Sequence, residues 1–321
     1  MKRHRKLWRL LAVAAMLAAS MSAARSQPLV FSFGVISQAG VGAAGADDSR
    51  LKEAIAGSDA DSLAFVVMNG IKTATEPCSD KFYFRRKETF QSAKNGVIVS
   101  LAASDWSACR TDGGASLAIE RLNRVRELFF ETEFSFGASR LPLLRQAGMP
   151  KFRAYVENVR WDVGNLVFAT LHLPANNNDF LSAAGRNSEF EDRLIADREW
   201  LQRTFNIAVQ KNAAAVVLFC DADPLALPER SGQLGIGLGL GMRRDGFLEV
   251  RKQLLALSAR FNGRVLLIHG QAGAVPDHAI TWQGNIGTLG PAPGWLKVGV
   301  DVALPALFSV NQGSAARTSG Q

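Results

Sequence analysis

Histidine is scarce in this chain, four in 321 residues, and only two tyrosines are present. His4 lies in a basic N-terminal stretch, which leaves His172, His269 and His278 for any imidazole chemistry. No Gly-x-Ser-x-Gly elbow occurs, so a triad assembled from Ser104, His269 and Asp221 lacks its α/β-hydrolase context. No Gly-Lys-Ser/Thr occurs either, and Gly235, Gly237, Gly239 and Gly241 follow Pro228-Glu229-Arg230 where a phosphate cradle would follow a strand. Those glycines read as a flexible surface loop. Beyond the N-terminus no eighteen unbroken apolar residues appear, which argues against a further membrane span. Internal repeats are absent.

The formal charge of +8 would suit a nucleic-acid partner, but its location argues against one. Lys2, Arg3, Arg5, Lys6, Arg9 and Arg25 precede every acid, so the chain without residues 1–26 carries 31 bases and 29 acids. A near-neutral mature chain offers no footprint for DNA or RNA. The same residues read as a secretory signal: a basic MKRHRKLWR, an apolar LLAVAAMLAA, and a small-x-small cleavage site at Ser22-Ala23-Ala24. An uncleaved anchor helix is the alternative. The expected boundaries are a signal over residues 1–26, one domain over 27–311, and a disordered tail over 312–321. The expected location is periplasmic or extracellular, with no stable membrane span after cleavage.

Export places three cysteines in an oxidising compartment. Cys78 and Cys109 each follow an expected strand by about seven to ten residues, and are expected to pair if those strands are neighbours. Cys220 ends a buried run with no base near it in sequence and reads as an inert core thiol.

An apolar composition of 47% supports one large core or two small ones. Apolar runs place strands at Pro28–Ile36, Leu63–Met68, Val97–Leu101, Leu166–Leu173, Ala213–Cys220 and Arg264–Ile268. Tyr155–Asp162 alternates and turns through Gly164-Asn165; Ala279–Trp282 and Trp295–Val302 close the series. Helices are expected over Asp47–Ile55, Phe82–Ala93 and Ala115–Phe130. Two more are expected around Leu194, Leu201, Phe205 and Ala208, and around Val250, Leu254 and Leu257. Ser188 and Glu191 suggest a capping box. Strands that end at small polar turns are how α/β sheets present sites. The stretch Asn95–Cys109, a strand running into Ala102-Ala103-Ser104-Asp105, is the clearest case. Asp221 and Asp223, just before Pro224, read as turn formers, and His269 beside Gly270 as a hydrogen-bonded structural residue.

Taken in order, CSD at Cys78–Asp80, WSAC at Trp106–Cys109, ENVRW at Glu157–Trp161, LP-x-NNND at Leu173–Asp179, ADP at Ala222–Pro224 and LLIHG at Leu266–Gly270 resemble exported calcineurin-like metallophosphoesterases. The resemblance spans roughly Phe31 to Asp301. It implies an α/β fold, a β-sandwich flanked by helices (αββα), with a two-metal site at strand ends that activates water for phosphoester hydrolysis. The family's ligand positions are changed here. Its first Gly-Asp is Ser37-Gln38, and its second falls on Asn69-Gly70-Ile71-Lys72, one residue short. Its Gly-Asp-Asn-Glu is Ala102-Ala103-Ser104-Asp105, and its His-Gly-Asp-x-His is His269-Gly270-Gln271-Ala272-Gly273. Only His269 keeps its ligand type. Amides and hydroxyls carry no charge to offset two divalent cations. The expectation is a degenerate member with no catalytic residues, no metal and no cofactor. It would act by binding a small uncharged polar ligand, or a protein, in the cleft of Gln38, Asn69, Ser104, Asp105, Asn177, His269 and Gln271. The alternative is a weak phosphoesterase with a metal site rebuilt from His269, Asp221, Asp223 and Asp105.

Overall fold

A computed structural model describes residues 29–38, 48–181, 187–227, 244–271, 279–292 and 294–313. The signal stretch, the glycine series, His278 and the tail beyond Gly313 lie outside the described residues.

The first half alternates strands and helices: β1 (Val30–Ser37), α1 (Ser49–Asp59), β2 (Val66–Asn69), α2 (Asp80–Gln91), β3 (Val97–Ser100) and α3 (Ala118–Phe129). The second half holds β4 (Leu144–Arg145), β5 (Val159–Val163), β6 (Leu166–Thr170), α4 (Ser188–Gln210), β7 (Ala215–Cys220), α5 (Leu248–Ala259) and β8 (Arg264–His269). It closes with β9 (Thr281–Gln283), β10 (Ile286–Leu289), β11 (Trp295–Asp301) and β12 (Phe308–Gln312).

These strands make two mixed sheets, ordered β12-β11-β1-β2-β3 and β4-β5-β6-β7-β8-β10-β9. Strands β2, β3, β6 and β7 are buried along their whole length, as strands covered on both faces must be. Phe33, Phe65, Val67, Trp161, Phe168 and Phe219 fill the space between the sheets. Phe33 stacks on Phe65 with centroids 5.1 Å apart, and Phe65 meets Phe168 edge-on at 5.0 Å. On the outer face of the first sheet lie Leu51 of α1, Phe82 and Phe90 of α2, and Leu122, Val125 and Phe129 of α3. On the outer face of the second lie Trp200, Leu201 and Phe205 of α4, with Val250 and Leu254 of α5. The chain therefore forms the expected α/β sandwich flanked by helices.

The hairpin turn at Gly164 favours glycine through its backbone conformation. Its φ is +58°, and a Cβ there would lie 1.9 Å from the Leu29 side chain. Cys78 and Cys109 form the expected disulfide, with Cα atoms 5.9 Å apart and a separation of 31 positions in sequence. Loop closure of that length constrains the unfolded chain by roughly 3–4 kcal/mol. Cys220 is free and buried, and burial pushes its thiol pKa up, consistent with an inert core residue. Among the described residues no helix is long and apolar enough to cross a membrane.

Three local expectations are corrected. Ser188 is the first residue of α4, and its cap is Asn187, which makes no side-chain capping bond. The Asn187 amide instead bridges the backbone N–H and carbonyl of Leu181. Strands β4, β10 and β12 are additions, the first two short and the last at a sheet edge. β12 pairs Gln312 with Leu296, so the first residue of the expected tail lies in a strand.

Candidate functional site

Parallel pairing sets the strand ends level. Ser37 lies opposite Asn69 and Asn69 opposite Ser100 in the first sheet, while Cys220 lies opposite His269 in the second. Phe33, Val35, Val67 and Ile98 face the inter-sheet core, so strand alternation points Ser37, Asn69 and Ser100 inward as well. The result is a polar layer at one end of an apolar interior.

Two sets of bonds close that end. The Asn69 amide donates across the sandwich to the Cys220 carbonyl at 2.7 Å. Glycine at 270 makes room for it, since a Cβ there would lie 3.1 Å from the Asn69 side chain. The Asp221 carboxylate accepts from Ala103 N–H and from Ala175 N–H, both at 2.7 Å. One oxygen of Asp221 thereby ties the loop after β3 to the loop after β6. Burial raises the Asp221 pKa, and these two donors pull it back down. Asp221, read from sequence as a turn former, is a cross-loop tie.

Asp105 lies in the turn that follows β3. Its side chain is fully buried and accepts from Ile71 N–H at 2.8 Å, Lys72 N–H at 3.0 Å and Ala102 N–H at 2.8 Å. Burial pushes its pKa up to about 7 against those donors and the nearby Lys72 ammonium. That ammonium stands among the strand-end turns, donating to the carbonyls of Thr73 and Ser104 at 2.9 and 2.8 Å. Burial lowers the Lys72 pKa, opposed by Asp105 and Glu76. The Ser104 hydroxyl donates to the Lys72 carbonyl at 2.7 Å.

The remaining expected cleft residues divide. Gln38 lies over Gly70, where a Cβ would stand 3.3 Å from its side chain, and its amide donates only to the Met68 sulfur at 3.7 Å. His269 faces Asp223, with Nε2 4.0 Å from the carboxylate. Burial lowers its pKa, while Asp223 and the Gln271 carbonyl act in the opposite sense. Gln271 accepts from Asp223 N–H at 3.3 Å. Asn177 is spent elsewhere, bonding the Arg244 carbonyl and Gly246 N–H, each at 3.0 Å. Gln38 Oε1, Asn69 Oδ1, His269 Nδ1 and the hydroxyls of Ser37 and Ser100 are buried without a hydrogen-bond partner among the described residues.

A second buried network, unassigned from the sequence, lies behind Trp106. The Trp106 indole N–H donates to His172 Nε2 at 3.1 Å, which places the imidazole proton on Nδ1, 2.9 Å from Glu157. Arg126 donates to both Glu157 oxygens, at 3.0 and 2.5 Å. Burial lowers the His172 pKa in spite of Glu157. The network joins WSAC and ENVRW, two of the motifs noted above, through His172, the residue just before LP-x-NNND.

The residues present do not fit a bridged pair of divalent cations. Asp105 and Asp221 are turned to backbone N–H groups, Asn69 to a carbonyl, and only His269 and Asp223 face one another. Among the described residues no three His, Cys, Asp or Glu side chains gather as a metal-holding group. No family model matches the chain, and no curated protein matches it.

Proposed function

We propose that this is an exported protein of the calcineurin-like metallophosphoesterase fold, a degenerate member that does not hydrolyse phosphate esters and acts by binding an uncharged polar ligand at its strand ends. The two-sheet sandwich and the order of motifs support the relationship. The single observation carrying the functional reading is the neutral polar layer at the strand ends. The amide oxygens of Gln38 and Asn69, the Ser37 hydroxyl and His269 Nδ1, all without partners among the described residues, stand where the family's ligand positions fall, and the nearby carboxylates of Asp105 and Asp221 are engaged by backbone. Buried polar atoms are ordinarily paired, so such a layer favours a ligand that supplies hydroxyl donors and acceptors without charge. A metal pair would need carboxylate bridges in the same place.

The test is thermal unfolding of the mature chain against a panel of neutral monosaccharides, disaccharides and polyols. A ligand that binds the folded state raises the midpoint by mass action. At least one neutral compound is expected to do so, with the shift lost in Asn69→Ala. Gln38→Ala serves as a second variant, because its amide makes only the weak Met68 contact. No shift across the panel, or shifts that persist in both variants, counts against binding at this site.

A further inference from the structure

On the outer face of the second sheet, where α4 leaves the β4–β5 edge, lies a groove of about 490 Å³. None of its lining residues belongs to the strand-end loops. Met149, Trp200 and Ile207 give it an apolar floor, and Leu144, more than half exposed, stands at its rim. Arg145, Arg160 and Arg203 line it with a single carboxylate, Glu199.

The charges do not balance within the groove. Arg203 is paired with Glu199 at 3.1 Å. Arg145 is fixed by the carbonyls of Thr132 and Val156, which supply dipoles without net charge. The Arg160 guanidinium has no ion pair and no hydrogen bond among the described residues. Its guanidinium lies over the Trp200 ring, 5.5 Å from the centroid. Burial lowers the Arg160 pKa, and Arg203 adds to that, while Asp162 opposes it. A half-buried guanidinium, stacked on an indole and beside a second cation, is pre-oriented for a carboxylate and has none.

We propose that this groove binds a small organic anion, an apolar or aromatic body carrying one carboxylate, with the carboxylate seated on Arg160 and the body against Met149 and Ile207. The volume falls in the range of small-molecule sites, roughly 300–1,000 Å³. The proposal is independent of the strand-end reading and shares no residue with it.

Isothermal titration of the mature chain with 2-naphthoate and with 2-naphthylmethanol, its uncharged counterpart, tests it. One site per chain is expected for naphthoate, with the alcohol weaker by about tenfold or more, the scale of a charge-assisted pair. Arg160→Gln should bring naphthoate down to the alcohol's affinity and leave the alcohol unchanged. Arg160→Lys should recover only part, because an ammonium lacks the bidentate fork. Absence of naphthoate binding, equal affinity for acid and alcohol in the parent, or an unchanged affinity in Arg160→Gln would overturn the proposal. The acid-against-alcohol comparison needs no variant and stands if Arg160→Gln fails to fold.

Discussion

Replacing Glu157 by alanine is expected to destabilise the protein by about 3–5 kcal/mol, the cost of leaving a buried charge without its partner. The carboxylate holds Arg126 by two bonds and the His172 N–H by a third, with almost none of its side chain exposed. Glu157→Gln keeps the shape and loses the charge, so it should fall between parent and alanine. The acid dependence isolates the interaction. Burial alone would raise the Glu157 pKa, but Arg126 and His172 together hold it at about 2, below its ordinary value of 4.5. A depressed carboxyl contributes stability that is complete above the unfolded pKa and is lost as pH falls through the folded one. The gap between parent and Glu157→Gln in urea unfolding should therefore shrink by about 3 kcal/mol between pH 5 and pH 2. Asp197, raised to about 7 mainly by burial, acts with opposite sign, losing stability as pH rises from about 4 toward 7. It is present in both proteins, so its own contribution largely cancels in the difference. A gap constant down to pH 2 would show that Glu157 carries no such charge interaction.

Asp105→Ala should cost about 3–5 kcal/mol by another route. Three backbone N–H groups, of Ile71, Lys72 and Ala102, lose their acceptor in a site closed to water, at about 1–3 kcal/mol each with partial relaxation. The buried Lys72 ammonium loses a neighbouring anion as well. Asp105→Asn should recover only part of the loss. Its amide oxygen accepts from Ile71 and Lys72, but its NH2 then faces the Ala102 N–H. Urea midpoints for the three proteins should rank parent, Asn, Ala. An alanine variant within about 0.5 kcal/mol of parent, as a neutral surface change would be, would deny Asp105 its part in the turn.

Much of the fold was legible because apolar runs of four to eight residues are hard to place anywhere but in buried strands. Strands β1, β2, β3, β6, β7 and β8 fall on segments read that way, and all five described helices fall on segments read as helices. The Cys78–Cys109 pairing followed from two loops after adjacent strands. Strand β4 was not legible: two residues carry no period, and only pairing with β5 makes them a strand. β10 contains Gly287 and gains its place by lying parallel to β8. The polar layer at the strand ends was legible only in outline. Gln38, Asn69 and His269 were found at strand ends because strand ends can be located by pattern. Asp221 was not recognised as a tie, since its two donors lie 118 and 46 residues away in sequence. The burial of Asp105 under three N–H groups depends on how two separate turns meet, which no local pattern shows.

The most direct test of the central claim is the metal content of the purified protein after dialysis against Mn²⁺, measured together with turnover of an aryl phosphate. Two-metal hydrolysis needs the ions both to generate hydroxide and to stabilise the displaced oxygen. Neutral amides and backbone-engaged carboxylates at these strand ends predict no stoichiometric metal and no turnover above buffer, the same for parent and His269→Ala. Two metal ions per chain, with turnover that disappears in His269→Ala, would contradict the account and establish a working phosphoesterase.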